Sequence, residues 1–238
     1  MVKRNGLLGF LLLAVVWSFA ATEEEYRTRR LQLVQELERE GIRDKRVLAA
    51  LRKVPRHEFV LERDKPRAYA NHPLPIGYGQ TISQPYIVGY MTEMLGVDED
   101  DVVLEIGTGS GYQAAVLAEI VKKVYTIEIV KPLYEQAKAR LRRLNYKNVE
   151  VKFGDGYYGW KEHAPYDAII VTATAAYIPP PLIQQLKPGG KMAIPIGSVW
   201  QTQNLVLVEK GRDGKVRTQN KLPVLFVPMT GRIQERRP

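Results

Sequence analysis

The sequence contains no cysteine and only three histidines. Without a thiol, the chain forms no disulfide, holds no metal through thiolates and has no cysteine nucleophile. The histidines, His57, His72 and His163, are scattered, and none has a second ligand residue at helical spacing. We therefore predict no metal site. The lack of cysteine also suits a protein that works where thiols oxidise.

No apolar run reaches the length of about 20 residues that crosses a membrane comfortably. The chain begins instead with two basic residues, Lys3 and Arg4, an apolar run over residues 7–17, and the small residues Ser18 and Ala20 ahead of an acidic segment. This layout is typical of a secretory signal peptide. We predict cleavage after Ala20, export to the periplasm and no stable membrane association afterwards. An uncleaved anchor or a misassigned start codon is the alternative, and a chain whose leader is not used would stay cytoplasmic.

The net charge of +9 is not concentrated in one place. Lysines and arginines are spread through predicted helices beside glutamates, and no basic cluster contains interleaved aromatic residues of the RNA-binding kind. We interpret them as solvated helix faces and predict no nucleic-acid partner. The remaining residues, 21–238, suit a single domain, and we expect a monomer.

Two short helices and an irregular segment occupy the first part of this domain, residues 21–100. Apolar spacing predicts a helix over residues 26–40, and Asp44 is placed as the N-cap of a second helix over residues 45–53. Residues 66–85 are rich in Pro, Gly, Tyr and Asn and have no period. Long irregular segments of this kind usually carry function, so we predict that this one holds the substrate.

Strand patterns alternate with helix patterns in the second part, residues 101–238. This order predicts a parallel, doubly wound sheet. Two final strands have no helix between them, and the pair Asp213 and Gly214 suits the turn of an antiparallel hairpin. The predicted strands cover residues 102–106, 123–129, 149–153, 166–171, 191–196, 203–209 and 215–227, and the predicted helices cover residues 112–120, 132–144 and 179–186.

A glycine-rich turn follows the first of these strands. Gly107, Gly109 and Gly111 allow a tight turn and let a ligand lie against bare backbone at the start of a helix. Their spacing is G-x-G-x-G, and Tyr112 stands where the dinucleotide fingerprint G-x-G-x-x-G needs a small residue. A nicotinamide or flavin site is therefore disfavoured.

Three acidic residues fall at the carboxyl ends of successive strands. Glu105 precedes the glycine turn, Glu128 ends the next strand, and Asp155 follows the third. Open α/β sheets bind ligands at this edge, and Glu128 is placed to accept hydrogen bonds from ribose hydroxyls. Carboxylates suit a cationic nucleoside better than a pyrophosphate. The pattern predicts a class I methyltransferase that binds S-adenosyl-L-methionine.

Several segments then resemble the protein-L-isoaspartate O-methyltransferase family, in the same order along the chain. They include GQTISQP within residues 74–91, the strand and glycine turn of residues 103–118, GDGYYGW at residues 154–160 and FVPMTG at residues 226–231. The resemblance covers residues 34–231. It implies transfer of a methyl group from S-adenosylmethionine to the free α-carboxylate of L-isoaspartyl residues in damaged proteins, which starts their repair to aspartyl residues.

The resemblance also assigns residues. It implies that Ser83 is the active-site residue and that the cofactor lies along Ser83, Gln84, Pro85, Tyr86, Glu105, Gly107, Glu128, Asp155 and Gly156. We add Gly109, Gly111 and Thr230 to the predicted cofactor contacts. Gln80, Thr81, Ile82 and Val227 are the predicted substrate contacts.

Other functions stay open at this point. A paralogue that binds S-adenosylmethionine without catalysis, or with another substrate, would keep the same fold. A nicotinamide-dependent oxidoreductase is less well supported, because the chain lacks both G-x-G-x-x-G and an obvious Tyr-x-x-x-Lys proton donor. The apolar leader departs from typical cytoplasmic members of the family, and it leaves open how an exported enzyme would obtain a cofactor made in the cytoplasm.

Overall fold

The computed structural model describes residues 21–198 and 200–235. The predicted signal peptide, residues 1–20, therefore lies outside the described residues. Within the described part of the chain, no helix is both long and apolar enough to cross a membrane.

Two helices open the described chain, as predicted. Helix α1 (Glu23–Arg39) begins three residues earlier than its apolar period indicated, because Thr22 and Glu25 form a reciprocal capping box. Helix α2 (Lys45–Lys53) has the predicted bounds, and the Asp44 carboxylate accepts hydrogen bonds from the first backbone amides. The caps satisfy amide groups that a helix start otherwise leaves unpaired.

The expectation of irregular structure over residues 66–85 is wrong in part. Strands β1 (Leu74–Gly77) and β2 (Gln80–Ile82) form a small antiparallel hairpin. Its turn contains Tyr78 and Gly79, both with positive φ. Helix α3 (Pro85–Leu95), which we did not predict, follows at once and ends at Gly96 in the left-handed conformation.

The main sheet has seven strands in the order β5-β4-β3-β6-β7-β8-β9. The first five in chain order are parallel, and β7 to β9 pair antiparallel. The predicted doubly wound α/β fold with a C-terminal hairpin is thus confirmed. The elements are β3 (Val102–Ile106), α4 (Tyr112–Ala118), β4 (Lys123–Glu128), α5 (Lys131–Arg143), β5 (Val149–Phe153), β6 (Tyr166–Val171), α6 (Pro180–Gln185), β7 (Leu186–Ile196), β8 (Gln203–Lys210), β9 (Val216–Val224) and α7 (Arg232–Glu235).

Some element bounds differ from the predictions. Pro132 is the second residue of α5 rather than the first, which its fixed φ and missing amide also allow. Strand β7 begins at Leu186 instead of the predicted residue 191, and its pairing with β6 shifts register between Tyr166 and Ala168. The last strand ends at Val224, so residues 225–227 leave the sheet and run toward the parallel strand ends.

Alternate side chains of the strands enter two hydrophobic clusters, one on each face of the sheet. Val103 belongs to the cluster that contains α1 to α5, and Leu104 belongs to the one that contains α6 and α7. Helices α1 and α2 are therefore part of the main core, through buried residues such as Leu37 and Leu51. The division into residues 21–100 and 101–238 stays a prediction, although the first cluster spans it.

Candidate active site

The glycine turn lies at the point where the strand order reverses, between β3 and its neighbours β4 and β6. Gly107, Gly109 and Gly111 all have positive φ, at 96°, 54° and 89°. At Gly107 a Cβ atom would lie 2.6 Å from Thr172 Oγ1, so this position has room for glycine alone. Ligands bind at such reversals in open α/β sheets.

Glu105 is fully buried under this turn. Its Oε2 accepts a hydrogen bond of 2.6 Å from Thr126 Oγ1, which is itself 2.7 Å from Thr108 Oγ1. Its Oε1 has no hydrogen-bond partner among the described residues. Burial raises the pKa of Glu105 to about 8, against the lowering effect of the Thr126 hydrogen bond.

Glu128, at the end of β4, ties the glycine turn to the next loop. Its two carboxylate oxygens accept hydrogen bonds from Gly109 N at 2.7 Å and from Val130 N at 2.8 Å. The carboxylate is thereby held in a single orientation at the edge of the sheet. Further lone pairs remain for a ligand, because each carboxylate oxygen has two acceptor sites.

The structure gives the third acid a different environment. Asp155 accepts hydrogen bonds from Tyr157 N at 2.9 Å and from Arg232 N at 2.7 Å, and it is not one of the residues that line the cavity described next. Its neighbour Gly156 does line that cavity. A contact between Asp155 and the cofactor therefore stays a prediction, while its carboxylate fastens the start of α7 to the end of β5.

A cleft of about 790 Å³, partly open to solvent, lies over the glycine turn. Of the residues proposed from sequence, the walls contain Gln80, Thr81, Ile82, Ser83, Glu105, Gly107, Gly109, Glu128, Gly156, Val227 and Thr230, but not Gln84, Pro85, Tyr86, Gly111 or Asp155. Pro85 and Tyr86 begin α3 behind Ser83.

A second cleft of about 970 Å³ adjoins the first. Thr81, Ser83, Thr172 and Val227 line both. We call the second the apolar cleft, because its walls include Pro73, Ile87, Pro223, Val224, Leu225 and Phe226, and Gln84 and Thr202 complete its lining. Ser83 therefore stands at the junction of the first cleft and the apolar cleft.

Sequence analysis missed Thr172, which follows β6 and lines both clefts. Its hydroxyl donates a hydrogen bond of 2.7 Å to the carbonyl oxygen of Gly107. The strand YDAIIV was recognised, so the rule that we applied to the carboxylates, a polar residue just after a parallel strand, also identifies Thr172.

The first cleft, which lies over the glycine turn and which we call the cofactor cleft, suits a cationic nucleoside. Among the described residues that line it, two are acidic, Glu105 and Glu128, and none is lysine, arginine or histidine. The unpartnered Oε1 of Glu105 supplies a buried acceptor beneath bare glycine backbone. These features fit S-adenosylmethionine, with its ribose, ammonium and sulfonium groups, and with the doubly wound sheet they define a class I methyltransferase.

Comparisons with known proteins give the family. The family model of protein-L-isoaspartate(D-aspartate) O-methyltransferase matches residues 28–234. A protein-L-isoaspartate O-methyltransferase 2 of Polaromonas is 63% identical over 79% of this chain and 89% of its own. One of the same name from Syntrophobacter fumaroxidans is 53% identical over 93% of this chain and 94% of its own.

Solved structures agree. A protein-L-isoaspartate O-methyltransferase superposes with a TM-score of 0.80 and 32% identity, over 86% of this chain and 67% of the other. A putative protein-L-isoaspartate O-methyltransferase from Plasmodium falciparum, in complex with S-adenosyl-L-homocysteine, gives a TM-score of 0.74 and 26% identity over 84% and 98%.

This chain belongs to the protein-L-isoaspartate O-methyltransferase family. It is an enzyme that uses S-adenosylmethionine, and its function is the methylation of isoaspartyl residues for protein repair. The predicted family, cofactor and enzyme class are confirmed, and an oxidoreductase is not supported.

Proposed function

We propose that Ser83 orients the free α-carboxylate of an L-isoaspartyl residue at the junction of the two clefts. The observation that carries this proposal is the set of shared walls: Thr81, Ser83, Thr172 and Val227 face both the cofactor cleft and the apolar cleft. A reacting group bound there lies against neutral hydrogen-bonding side chains from β2 and the loop after β6. Gln80, Thr81 and Ile82 hold the backbone beside it.

The reaction needs little from the protein beyond positioning. A carboxylate with a pKa near 4 is already deprotonated at neutral pH, so no strong general base is required. When bound, S-adenosylmethionine supplies a methyl group activated by the positive charge on its sulfur. The residues of this chain align the attacking oxygen and exclude water, and such alignment accounts for much of the rate in reactions of this kind.

The apolar cleft then binds the residues that flank the isoaspartate. Ile87, Leu225 and Phe226 offer an apolar surface beside Ser83, and Leu225 is 80% exposed. Burying an apolar side chain there contributes roughly 1.5–3 kcal/mol when burial is complete. Peptides with an apolar residue next to the isoaspartate are therefore the preferred substrates.

Methyl transfer to matched peptides tests this function. We expect labelled S-adenosylmethionine to methylate an isoaspartyl peptide and not its aspartyl twin. Ser83→Ala should lower kcat/KM about tenfold to a hundredfold, since a hydrogen bond to a charged group contributes roughly 1.5–3 kcal/mol. Thr218→Ala, at an exposed position of β9 that lines neither cleft, is the control. Full activity of Ser83→Ala would refute the role of Ser83, and turnover of neither peptide by the wild type would indicate a non-catalytic paralogue.

We also propose that the enzyme is exported to the periplasm. The support is the basic start, the apolar run over residues 7–17 and the small residues before Thr22. The capping box that starts α1 uses only Thr22 and Glu25, so the helix start is complete in a chain cut after Ala20. Cell fractionation and N-terminal sequencing test this proposal. A mature protein that begins at Met1 in the cytoplasm would refute it.

Monomeric action without nucleic acid is a further part of the proposal. Several arginines pair with carboxylates, as Arg143 does with Glu58 and Arg46 with Asp44, which leaves fewer free cations for a nucleic acid. Light scattering after size-exclusion chromatography should give the mass of one chain. A retarded band in a gel-shift titration with RNA or DNA at physiological salt would contradict the second part.

A further inference from the structure

Arg56 is a fully buried arginine that lines neither cleft. Burial lowers its pKa to about 10, so the side chain is still charged at neutral pH. No ion pair among the described residues includes it. Its donors point instead at backbone carbonyl oxygens: Nε donates to Ala68 at 2.9 Å, and Nη2 donates to Ser83 at 2.8 Å, with His72 at the longer distance of 3.5 Å.

The guanidinium also packs on the ring of Tyr112, a residue of the cofactor cleft wall. Its central carbon lies 4.7 Å from the centroid of the Tyr112 ring. Tyr112 is the first residue of α4, directly after the glycine turn, and it lines the cofactor cleft. One planar side chain thus connects the segment before β1, the backbone of Ser83 and the helix that follows the glycine turn.

Stability alone is a poor explanation for this residue. Burying a charge without a counterion is costly, and Nη1 of Arg56 has no hydrogen-bond partner among the described residues. A rigid fork of donors has a different advantage, because it holds two carbonyl oxygens at fixed positions, which a flexible ammonium does not do.

We infer that Arg56 is a positioning residue for methyl transfer: it fixes the backbone of Ser83 at a set distance from the glycine turn. This inference rests on the proposed role of Ser83. A displacement of about 1 Å at a reacting group can cost about a hundredfold in rate. Arg56 acts through Ser83 and touches neither substrate nor cofactor.

Two substitutions separate positioning from stability. Arg56→Lys keeps the charge and loses the fork, and Arg56→Met fills similar volume without charge. We expect both variants to lower kcat for an isoaspartyl peptide about tenfold or more, by misplacing Ser83. Their affinities for S-adenosylhomocysteine should fall much less than kcat does, since Glu105, Glu128 and the glycine turn are untouched, although Tyr112 and Ser83 also line the cofactor cleft. The control is Arg30→Lys, a buried arginine that contacts Tyr69 and Glu23.

A double-mutant cycle supplies the sharper readout. If Arg56 acts through Ser83, Arg56→Lys should cost about tenfold in kcat/KM in the wild type and less than about threefold in the Ser83→Ala background, because residues of one unit are non-additive. Equal losses in both backgrounds would overturn the inference, as would unchanged activity of Arg56→Lys or loss of the fold in both variants. Activity of the wild type on the isoaspartyl peptide tests the proposed function separately.

Discussion

At the scale of single residues, Glu105 has the most unusual environment in the cofactor cleft. The sequence indicated a carboxylate at the end of β3, and that placement is confirmed. Its protonation depends first on its complete burial, and then on the hydroxyl of Thr126 from the neighbouring strand and the charge of Glu128. Such contacts come from distant parts of the chain, so no local pattern predicts them.

The raised pKa of Glu105 has a consequence for stability. The unfolded chain ionises this group near its usual value of 4.5 and the folded chain near 8. The folded state therefore binds the extra proton between these values. The contribution of Glu105 to the free energy of unfolding is fully present below pH 4.5. It decreases as the pH rises to about 8, by at most about 1.4 kcal/mol per pH unit.

Glu105→Gln should remove this fall, because the amide does not ionise. The free energy of unfolding, measured with urea from pH 5 to pH 8, should favour the variant over the wild type by a margin that grows with pH. Glu150→Gln, at an exposed position of β5, is the matched control. Curves for wild type and Glu105→Gln that stay parallel across this range would show that Glu105 is not protonated in the fold.

At the scale of elements, the turn after β5 contains two glycines, Gly154 and Gly156, of which only one is required by packing. A Cβ atom at Gly156 would lie 2.3 Å from Ile106 Cγ2, whereas at Gly154 the nearest atoms are 3.9 Å away. Neither residue has positive φ. The two glycines look alike in the sequence GDG, and only the approach of β3 distinguishes them.

Gly156→Ala should therefore destabilise the protein by about 1–3 kcal/mol, the usual range for overpacking, and weaken S-adenosylhomocysteine binding. Gly154→Ala should change both quantities little. Urea unfolding and calorimetric titration measure the two effects. Equal changes in stability and affinity for the two variants would mean that the turn after β5 can shift to make room for a Cβ atom without disturbing β3.

Helix α3, the β1–β2 hairpin and the short helix α7 were elements that we did not predict. Signals for α3 were present in Pro85 at its start and in Gly96 after its end. Gly89 obscured them, since glycine lowers helix propensity. A glycine occurs at this position because α3 packs closely on α2: a Cβ atom at Gly89 would lie 3.3 Å from the side chain of Leu51. The alternating strands and helices of the sheet were predictable because their periods are local.

At the scale of the whole molecule, the N-terminal helices are part of the main core rather than an addition to it. Leu37 of α1 is fully buried in the cluster that reaches Val103 of the sheet. Leu37→Ala should cost about 2–5 kcal/mol, while Leu31→Ala, 38% exposed on the same helix, should cost little. Thermal or urea unfolding measures the loss of stability in both variants, and we expect each to unfold in a single transition. A separate early transition in Leu37→Ala would contradict one cooperative unit.

The neutral walls at the junction of the two clefts also bear on turnover. Among the described residues that line the apolar cleft, none is charged, and the cofactor cleft offers no cation. Methylation turns an anionic acceptor into an uncharged ester, which accepts weaker hydrogen bonds from the same hydroxyls and amides. With the acceptor at the position proposed beside Ser83, the ester is therefore held less firmly than the carboxylate, which favours its release before the next round.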